Sequence, residues 1–464
     1  MKLKKNLNKF MSELNAISPL DGRYFSKVKE LADFFSETAL IKYRLKIEVE
    51  YFIALAGESK IKEVGSLSDD DRNSLRDLYL KFNEAEAIKV KKIEQTTNHD
   101  VKAAEYYLKD KISKIKKLRN NSEFIHFALT SEDVNNLAYS LMFKDGLAVY
   151  QNQLKKLLAE LKDLAIRHKK VGLLALTHGQ PATPTTLGKE LAIFYYRLRE
   201  QAKTLGNHKL TGKFSGAVGN WNAHLISYPK VDWISFSQKF VAGLGLVFNP
   251  LTTQIESHDT LASICHNLIR INNIIKNLDQ DLWLYISREI FKLKKVAGEV
   301  GSSTMPYKIN PIDFENSEGN LGMSNAILDH LANKLPVSRL QRDLTDSTVL
   351  RNQGVGLAYS LLALKMTLKG LSKLEINKPK IAAELNSHWE ALAEPIQVVL
   401  RKVGYAKPYE TLKNLTRGET IGKAEIQKFI RSLKIAKAEK DNLLKLTPEN
   451  YTGLASKLVD KYLL

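Results

Sequence analysis

The sequence predicts an all-α protein of three helical domains, the middle one a bundle of long helices. Three observations carry that prediction. No proline occurs between Pro19 and Pro181, and apolar residues recur at spacings of three and four through most of that distance, which is the period of an amphipathic helix. A second stretch, from Leu251 to Ala297, has neither glycine nor proline, and within it Leu261, Ile264, Leu268, Ile271, Ile275, Leu278, Leu282 and Tyr285 alternate steps of three and four. It reads as one helix of about 40 residues, roughly 60 Å long at the standard rise. The third observation is size: 464 residues, 44% of them hydrophobic, suffice for a large core divided among two or three domains. A helix of that length is not covered within a small domain, so its remaining apolar surface predicts an extended bundle and association between copies.

Along the chain, Ser18 to Tyr24 (Ser-Pro-Leu-Asp-Gly-Arg-Tyr) is turn chemistry ahead of a helix that includes Ile41 to Ala56. The polar island Thr96-Thr97-Asn98-His99-Asp100 has the composition of a helix N-cap. Within Ser122 to Asn136, Thr130 and Ser131 followed by Glu132 and Asp133 mark another helix start, and helix N-termini bind anions. A domain boundary near residue 119 falls just before it, giving domains 1–119, 120–365 and 366–464. After a long periodic helix comes Leu176 to Pro184, where glycine and proline beside His178 take that histidine off a helix. Gly212 to Asn220 is glycine-rich, but it lacks both a Gly-Lys-Ser/Thr ending and the Rossmann spacing, so it reads only as a possible site lining. Beyond residue 366 the charge density rises and short helices follow, forming a small C-terminal domain.

Composition excludes several classes. Cys265 is the only cysteine, so an internal disulfide and a zinc site built on paired cysteines are excluded, and a reducing compartment is implied. No run of 18 apolar residues occurs, and the basic start Met1 to Phe10 is not followed by an apolar core of signal-peptide length; no membrane is expected and the predicted location is cytoplasmic. The formal charge of +19 raises nucleic-acid binding as a competing class. Lysines are spread over most segments, clustering only from Lys109 to Lys117, and no zinc-finger, RNP or Walker pattern accompanies them, which favours a basic solvated surface with no nucleic-acid partner. His126, His168, His208, His224, His258, His266, His330 and His388 fit no metal-ligand spacing and read as structural or surface groups, so no metal is predicted.

The most polar stretch runs from Gly298 to Asn320. Gly298 and Gly301 free the backbone around Ser302 and Ser303, while Pro306 and Pro311 restrict it around Lys308 and Asn310, presenting a cation and an amide beside a mobile loop. The pattern Gly-Ser-x-x-Met-x-x-Lys-x-Asn at Gly301, Ser302, Met305, Lys308 and Asn310 resembles the signature of the fumarase, aspartase and argininosuccinate lyase superfamily. Within it, other stretches are similar to the adenylosuccinate lyase branch, from about Ser18 to the C-terminus. Met1 to Phe10 then reads as an extension, or Met11 as the true start. Tyr307 stands where many members of that family carry histidine, at a position to which no chemistry is assigned.

The resemblance implies elimination of fumarate from adenylosuccinate to give AMP, and from the succinyl-aminoimidazole-carboxamide ribotide (SAICAR) to give AICAR. It also implies a homotetramer whose core is a helical bundle and whose active sites are shared between subunits. By the same resemblance the catalytic candidates are Ser302, His178, His99 and Lys308. Substrate-binding roles carry over to Arg23 and Tyr24 in the first turn, Asn98 and Asp100 beside His99, and Thr130 and Ser131 at the helix start. They also carry over to Thr177, to Gln254 at the start of the long helix, and to Ser303, Met305, Asn310 and Asn316. In Leu335 to Asn352 the matching ligands are Arg342, Ser347 and Arg351, a plausible phosphate clamp since guanidinium grips phosphate through paired hydrogen bonds.

Such an elimination needs a base beside the substrate carboxylate, donors for the developing charge and an acid for the leaving nitrogen. Ser302 is the candidate base, requiring loop closure and nearby positive charge, with Lys308 supplying the charge and Asn310 helping to hold the dianion. His178 is the candidate acid, imidazole being the side chain that exchanges protons near neutral pH. No cofactor is predicted, since the step needs no redox change or external electron sink. Two other readings stay open: a different fumarate-releasing lyase such as argininosuccinate lyase, and a basic helical nucleic-acid-binding scaffold that keeps the fold without activity.

Overall fold

The computed structural model describes residues 14–115, 117–295, 298, 305, 307–416 and 421–464. Most of these residues are helical, with three two-stranded β-pairs among them. They divide into two compact units, residues 14–153, 202–272 and 319–363 in the first, and 154–201, 273–318 and 364–464 in the second. No helix of the described residues is long and apolar enough to cross a membrane.

Local chemistry sets the helix starts. Helix α1, Glu37–Gly57, begins where the Ser36 hydroxyl accepts the Ala39 N–H, and α2, Asp69–Leu80, begins at a reciprocal Ser68/Asp71 capping box. Helix α3, Glu84–Thr97, is closed by Asn98 in the left-handed region (φ 48°), and α4, Asp100–Ser113, opens immediately afterwards. The predicted cap there is real, but its capping group is His99, whose Nδ1 accepts the Lys102 N–H at 3.2 Å. Helix α5, Ser131–Arg167, is the longest at 37 residues, about 55 Å at 1.5 Å per residue.

Strands β1, Gly172–Thr177, and β2, Gln180–Thr186, form an antiparallel hairpin, followed by α6, Leu187–Asn207. Periodicity alone had not indicated this hairpin between two long helices. At Gly188, an added Cβ would lie 2.3 Å from the Ala165 carbonyl oxygen, so only glycine lets α6 start so close to the end of α5.

The helix found between Leu251 and Ala297 is shorter than the predicted one of about 40 residues. Helix α7 covers Asp259–Ser287, 29 residues. His258 and Glu289, both in the left-handed region (φ 61°), bound it, and Phe291–Leu293 then pairs as a strand with Leu374–Ile376. Neither bounding residue is glycine, so the ends were invisible to a rule that looks for glycine and proline. Gln254 consequently lies in the loop ahead of α7 and not at its N-terminal end.

Helices α8, Ile312–Lys334, α9, Thr345–Leu350, and α10, Gln353–Ser372, complete the long elements. Several polar groups buried along them are paired. In the first unit Asn272 on α7 donates to Ser324 and Asn325 on α8 and accepts from Ser360 on α10. In the second, Asp279 on α7 accepts from Thr367 on α10, and burial pushes its carboxyl well above the ordinary value. Satisfied polar contacts of this kind fix the register of otherwise greasy helices. Toward the C-terminus, Trp389, Leu392, Ile396, Leu400, Ile426 and Leu443 belong to a separate apolar core formed by short helices.

Candidate active site

In the first unit the start of α5 is tied to the glycine-rich turn. One carboxylate oxygen of Asp133 accepts the Thr130 N–H at 2.9 Å; the other accepts the N–H groups of Ser215 and Gly216 and the Lys213 ammonium at 2.7 Å. Asp133 and Lys213 are both fully buried. Asn136 adds two hydrogen bonds to the Lys213 backbone. Thr130 and Ser131 therefore stand on a braced helix N-terminus, where exposed N–H groups and the helix dipole favour an anion. The turn from Gly212 to Asn220, read from the sequence as a possible site lining, carries the buried lysine that holds this helix start.

Arg342 joins three of the predicted regions. Its Nη1 donates to Gln254 Oε1 at 3.2 Å, its Nη2 lies 3.3 Å from Glu132 Oε2, and its Nε lies 3.8 Å from Asp346 Oδ2. Gln254 is itself held, donating to the Ala217 carbonyl at 2.9 Å. Ser347 follows Asp346, whose side chain accepts the Ser347 N–H. Arg351, which follows α9, pairs with Asp100 at 2.8 Å and Glu37 at 3.3 Å. Asp100 also binds Arg44, which is buried and hydrogen-bonded to Asn135. Burial alone would raise the Asp100 carboxyl, but Arg44 and Arg351 outweigh it and hold it at about 2. Asp100, read from the sequence as a ligand, thus serves in this chain as the counter-ion that orients a neighbouring ligand candidate.

The first turn lies close to Arg351. Ser18, Asp21, Phe25, Phe35 and Arg351 are among the residues lining a cavity of about 140 Å³. Arg23 is exposed and Tyr24 half-buried, at the end of that turn. His99 and Asn98 are exposed at the junction of α3 and α4. Because His99 Nδ1 accepts a hydrogen bond, the neutral ring carries its proton on Nε2, the form suited to donating to an anion.

In the second unit, His178 and Gly179 are the two turn residues of the β1–β2 hairpin, both at positive φ (54° and 73°), with Thr177 paired to Gln180 across it. Residues 176–181 are all exposed. Lys308 is exposed, its N–H bonded to the Met305 carbonyl at 3.0 Å; Met305 is exposed, Asn310 half-buried, and Asn316 half-buried on α8. Ser302 and Ser303, the candidate base and its neighbour, lie outside the described residues, as does the segment from Met1 to Phe10.

A cluster next to Arg342 escaped sequence reading. Glu132, His258 and Asp346 are buried and each offers a ligand atom within 4.8 Å of the others. Such a triad suits a metal in principle, but the Arg342 guanidinium already supplies positive charge at its edge. His258 had been assigned a structural role, and Glu132 a role in marking a helix start. Their polar types were legible, but their common burial was not, since they come from three distant segments.

Comparison with known proteins was made on this geometry. A family model described as "Lyase" matches residues 22–326, and one described as "Adenylosuccinate lyase C-terminal" matches residues 338–452. The chain is similar to adenylosuccinate lyase of Escherichia coli (strain K12), 52% identical over 452 residues, covering 97% of this chain and 99% of that one. Adenylosuccinate lyase of Haemophilus influenzae is 53% identical over the same length and coverage. Among solved structures, a fumarate lyase from Mesorhizobium sp. BNC1 shares the fold with a TM-score of 0.74 at 18% identity, covering 94% of this chain and 97% of that one. The 3-carboxy-cis,cis-muconate lactonizing enzyme of Pseudomonas putida does so with a TM-score of 0.73 at 19% identity, covering 94% and 96%.

Proposed function

The chain belongs to the adenylosuccinate lyase family, and we propose that it eliminates fumarate from adenylosuccinate to give AMP, and from SAICAR to give AICAR, as a carbon–nitrogen lyase of purine nucleotide biosynthesis. One observation supports the nucleotide reading above others: Arg342 spans from Glu132, beside the Thr130–Ser131 helix start, to Gln254, so three independently suggested ligand segments meet at one guanidinium. Argininosuccinate lyase chemistry has no use for such a phosphate grip.

In the proposed reaction Ser302 removes the proton beside the departing nitrogen's carbon, and the charge spreads into the adjacent carboxylate. Lys308 and Asn310 hold that charge, and Thr130 and Ser131 bind the substrate's carboxylate at the N-terminus of α5. His178 then protonates the leaving nitrogen as the carbon–nitrogen bond breaks, from the opposite side. Arg23, Tyr24, Arg342, Ser347 and Arg351 hold the nucleotide end, with His99 donating to the phosphate or a carboxylate. Thr177, Asn98, Ser303, Met305 and Asn316 line the site. No cofactor enters this scheme.

The same proposal includes a cytoplasmic homotetramer with shared sites, and the division 1–119, 120–365 and 366–464. The separate apolar core around Trp389 and Ile426 supports a C-terminal domain. The test is direct. Purified protein is mixed with adenylosuccinate while substrate ultraviolet absorbance and fumarate release are followed. Equal amounts of fumarate and AMP are expected. Inertness toward adenylosuccinate and SAICAR, with turnover of argininosuccinate, would replace the substrate assignment; inertness toward all three, with salt-dependent binding of DNA or RNA, would restore the scaffold reading.

A further inference from the structure

Four polar atoms beside Arg342 are buried without a hydrogen bond among the described residues: Glu132 Oε1, Asp346 Oδ2, His258 Nε2 and the Arg342 Nε. Their residues face one another, since Glu132, His258 and Asp346 bring ligand atoms within 4.8 Å and Arg342 touches both carboxylates. Buried polar groups are seldom left this way unless the cluster has work to do. His258 is moreover held in the left-handed region, with its N–H donated to Glu256 Oε2 at 2.7 Å, and strained backbone of this kind persists where the surroundings impose it.

We propose that Glu132, Asp346 and His258 form a buried seat that positions the Arg342 guanidinium for the substrate phosphate, with His258 setting the two carboxylates against it. The inference rests on the reading of Arg342 as a phosphate ligand. Gln254, Glu132 and Asp346 each contact a different nitrogen of the guanidinium, and each Nη has a second hydrogen with which to donate to a phosphate. Two buried carboxylates against one guanidinium leave an excess negative charge, which a proton held within the cluster cancels. Burial accordingly pushes the Glu132 carboxyl up to about 8, against the pull of Arg342, and burial pushes the His258 imidazole down despite Glu256 beside it. A divalent cation is a poor occupant because the guanidinium already stands at the cluster's edge. These groups are positioning residues, since Arg342 alone of the four meets the substrate.

The test uses the full-length protein, with AMP and adenosine as probes by calorimetry, alongside steady-state kinetics and thermal melting. His258→Ala and Glu132→Ala are expected to weaken AMP and raise KM by roughly tenfold, the factor that ~1.4 kcal/mol represents. Catalytic rate at saturation should stay within about twofold of wild type, a change worth well under 1 kcal/mol. Adenosine, lacking the phosphate, should bind all variants alike, and Glu132→Gln, a neutral isostere, should recover most of the AMP affinity. Should the alanine variants not fold, Asp346→Asn and His258→Gln keep the volume and decide the question. Unchanged AMP affinity in both overturns the inference, as does equal loss of adenosine, which would mark a merely structural role. A stoichiometric divalent cation in the purified protein, lost in His258→Gln, also overturns it. Arg342→Ala separates the two levels: unchanged AMP affinity there removes the phosphate reading itself, whereas weakened AMP with His258→Gln unaffected removes only the seat.

Discussion

Arg342 and Arg351 are fixed by carboxylates around them, while His178 stands on a two-residue turn whose neighbours are exposed on both strands. The first arrangement is complete within one chain. Asp100 serves two arginines, Glu132 and Asp346 flank a third, and Asp133 pins a helix start to a buried lysine. The hairpin has a defined backbone, because two positive-φ residues in succession make a tight turn, but nothing in its own strands shields the imidazole from water. A general acid works best where water is excluded. The contrast teaches that the proposed anion-binding arginines are preorganised by the chain itself, whereas the proposed proton-transfer group depends on whatever covers it. In the proposed tetramer that cover is another subunit.

The largest effects should come from the exposed side of this comparison. His178→Ala and Ser302→Ala are each expected to lower turnover by roughly 10²–10⁴-fold with AMP affinity largely retained. Near-normal turnover in either would remove that residue from its role. Mixing the two inactive proteins should restore part of the activity by building some sites from unaltered residues of different chains; no recovery on mixing and reassembly would confine the site to one chain and break the comparison at its root.

The preorganised side is tested through stability first. Asp133→Ala leaves the buried Lys213 ammonium with the Gly216 carbonyl but without its counter-ion, with an expected loss of about 3–5 kcal/mol by denaturant titration. A loss below ~1 kcal/mol would show that Lys213 finds water or another partner and that the helix start is not braced as described.

Asp100→Asn should have a smaller, pH-dependent effect. Its carboxyl is held at about 2 in the folded protein, below the ordinary ~3.9, so its contribution is present above about pH 4 and is lost as pH falls toward 2. The variant should therefore lack that part of the acid sensitivity, and AMP should bind it several-fold more weakly near neutrality because Arg351 loses a counter-ion, a change of about 1 kcal/mol. Identical acid melting curves for wild type and variant would count against the pairing. The smallest expected effect is that of Gly179→Ala. The turn has room for a methyl group, but its φ of 73° costs about 1–2 kcal/mol in any L-residue, so a small drop in melting temperature should accompany reduced turnover. Reduced turnover with no stability change would instead indicate that the methyl group meets a covering chain.

Much of this molecule was legible in the sequence because the signals are local. Three-and-four periodicity announced the helices, the polar islands at Thr96 to Asp100 and at Thr130 and Ser131 announced helix starts, and the Gly-Ser-x-x-Met-x-x-Lys-x-Asn pattern announced the family. The failures are equally physical. The helix of about 40 residues was overdrawn because residues other than glycine, His258 and Glu289, take the left-handed conformation that ends α7, at a cost only tertiary contacts offset. The hairpin at His178 was missed as a hairpin because its strands hold prolines and few alternating apolar residues, leaving the turn geometry as its main signature.

What the sequence alone determined is therefore the helical class, which follows from periodicity, the types of residue available for chemistry, and, by the resemblance of one motif, the family; all of these are signals within short windows. Only the tertiary structure decided that Asp100 is a counter-ion, that Lys213 is buried against Asp133, and that Glu132, His258 and Asp346 cluster beside Arg342. Apart from Asp346, which lies four residues from Arg342, those pairings join segments 80 or more residues apart. Burial, which turns a weak surface charge into a strongly held one, is a property of the folded neighbourhood and not of any stretch of chain.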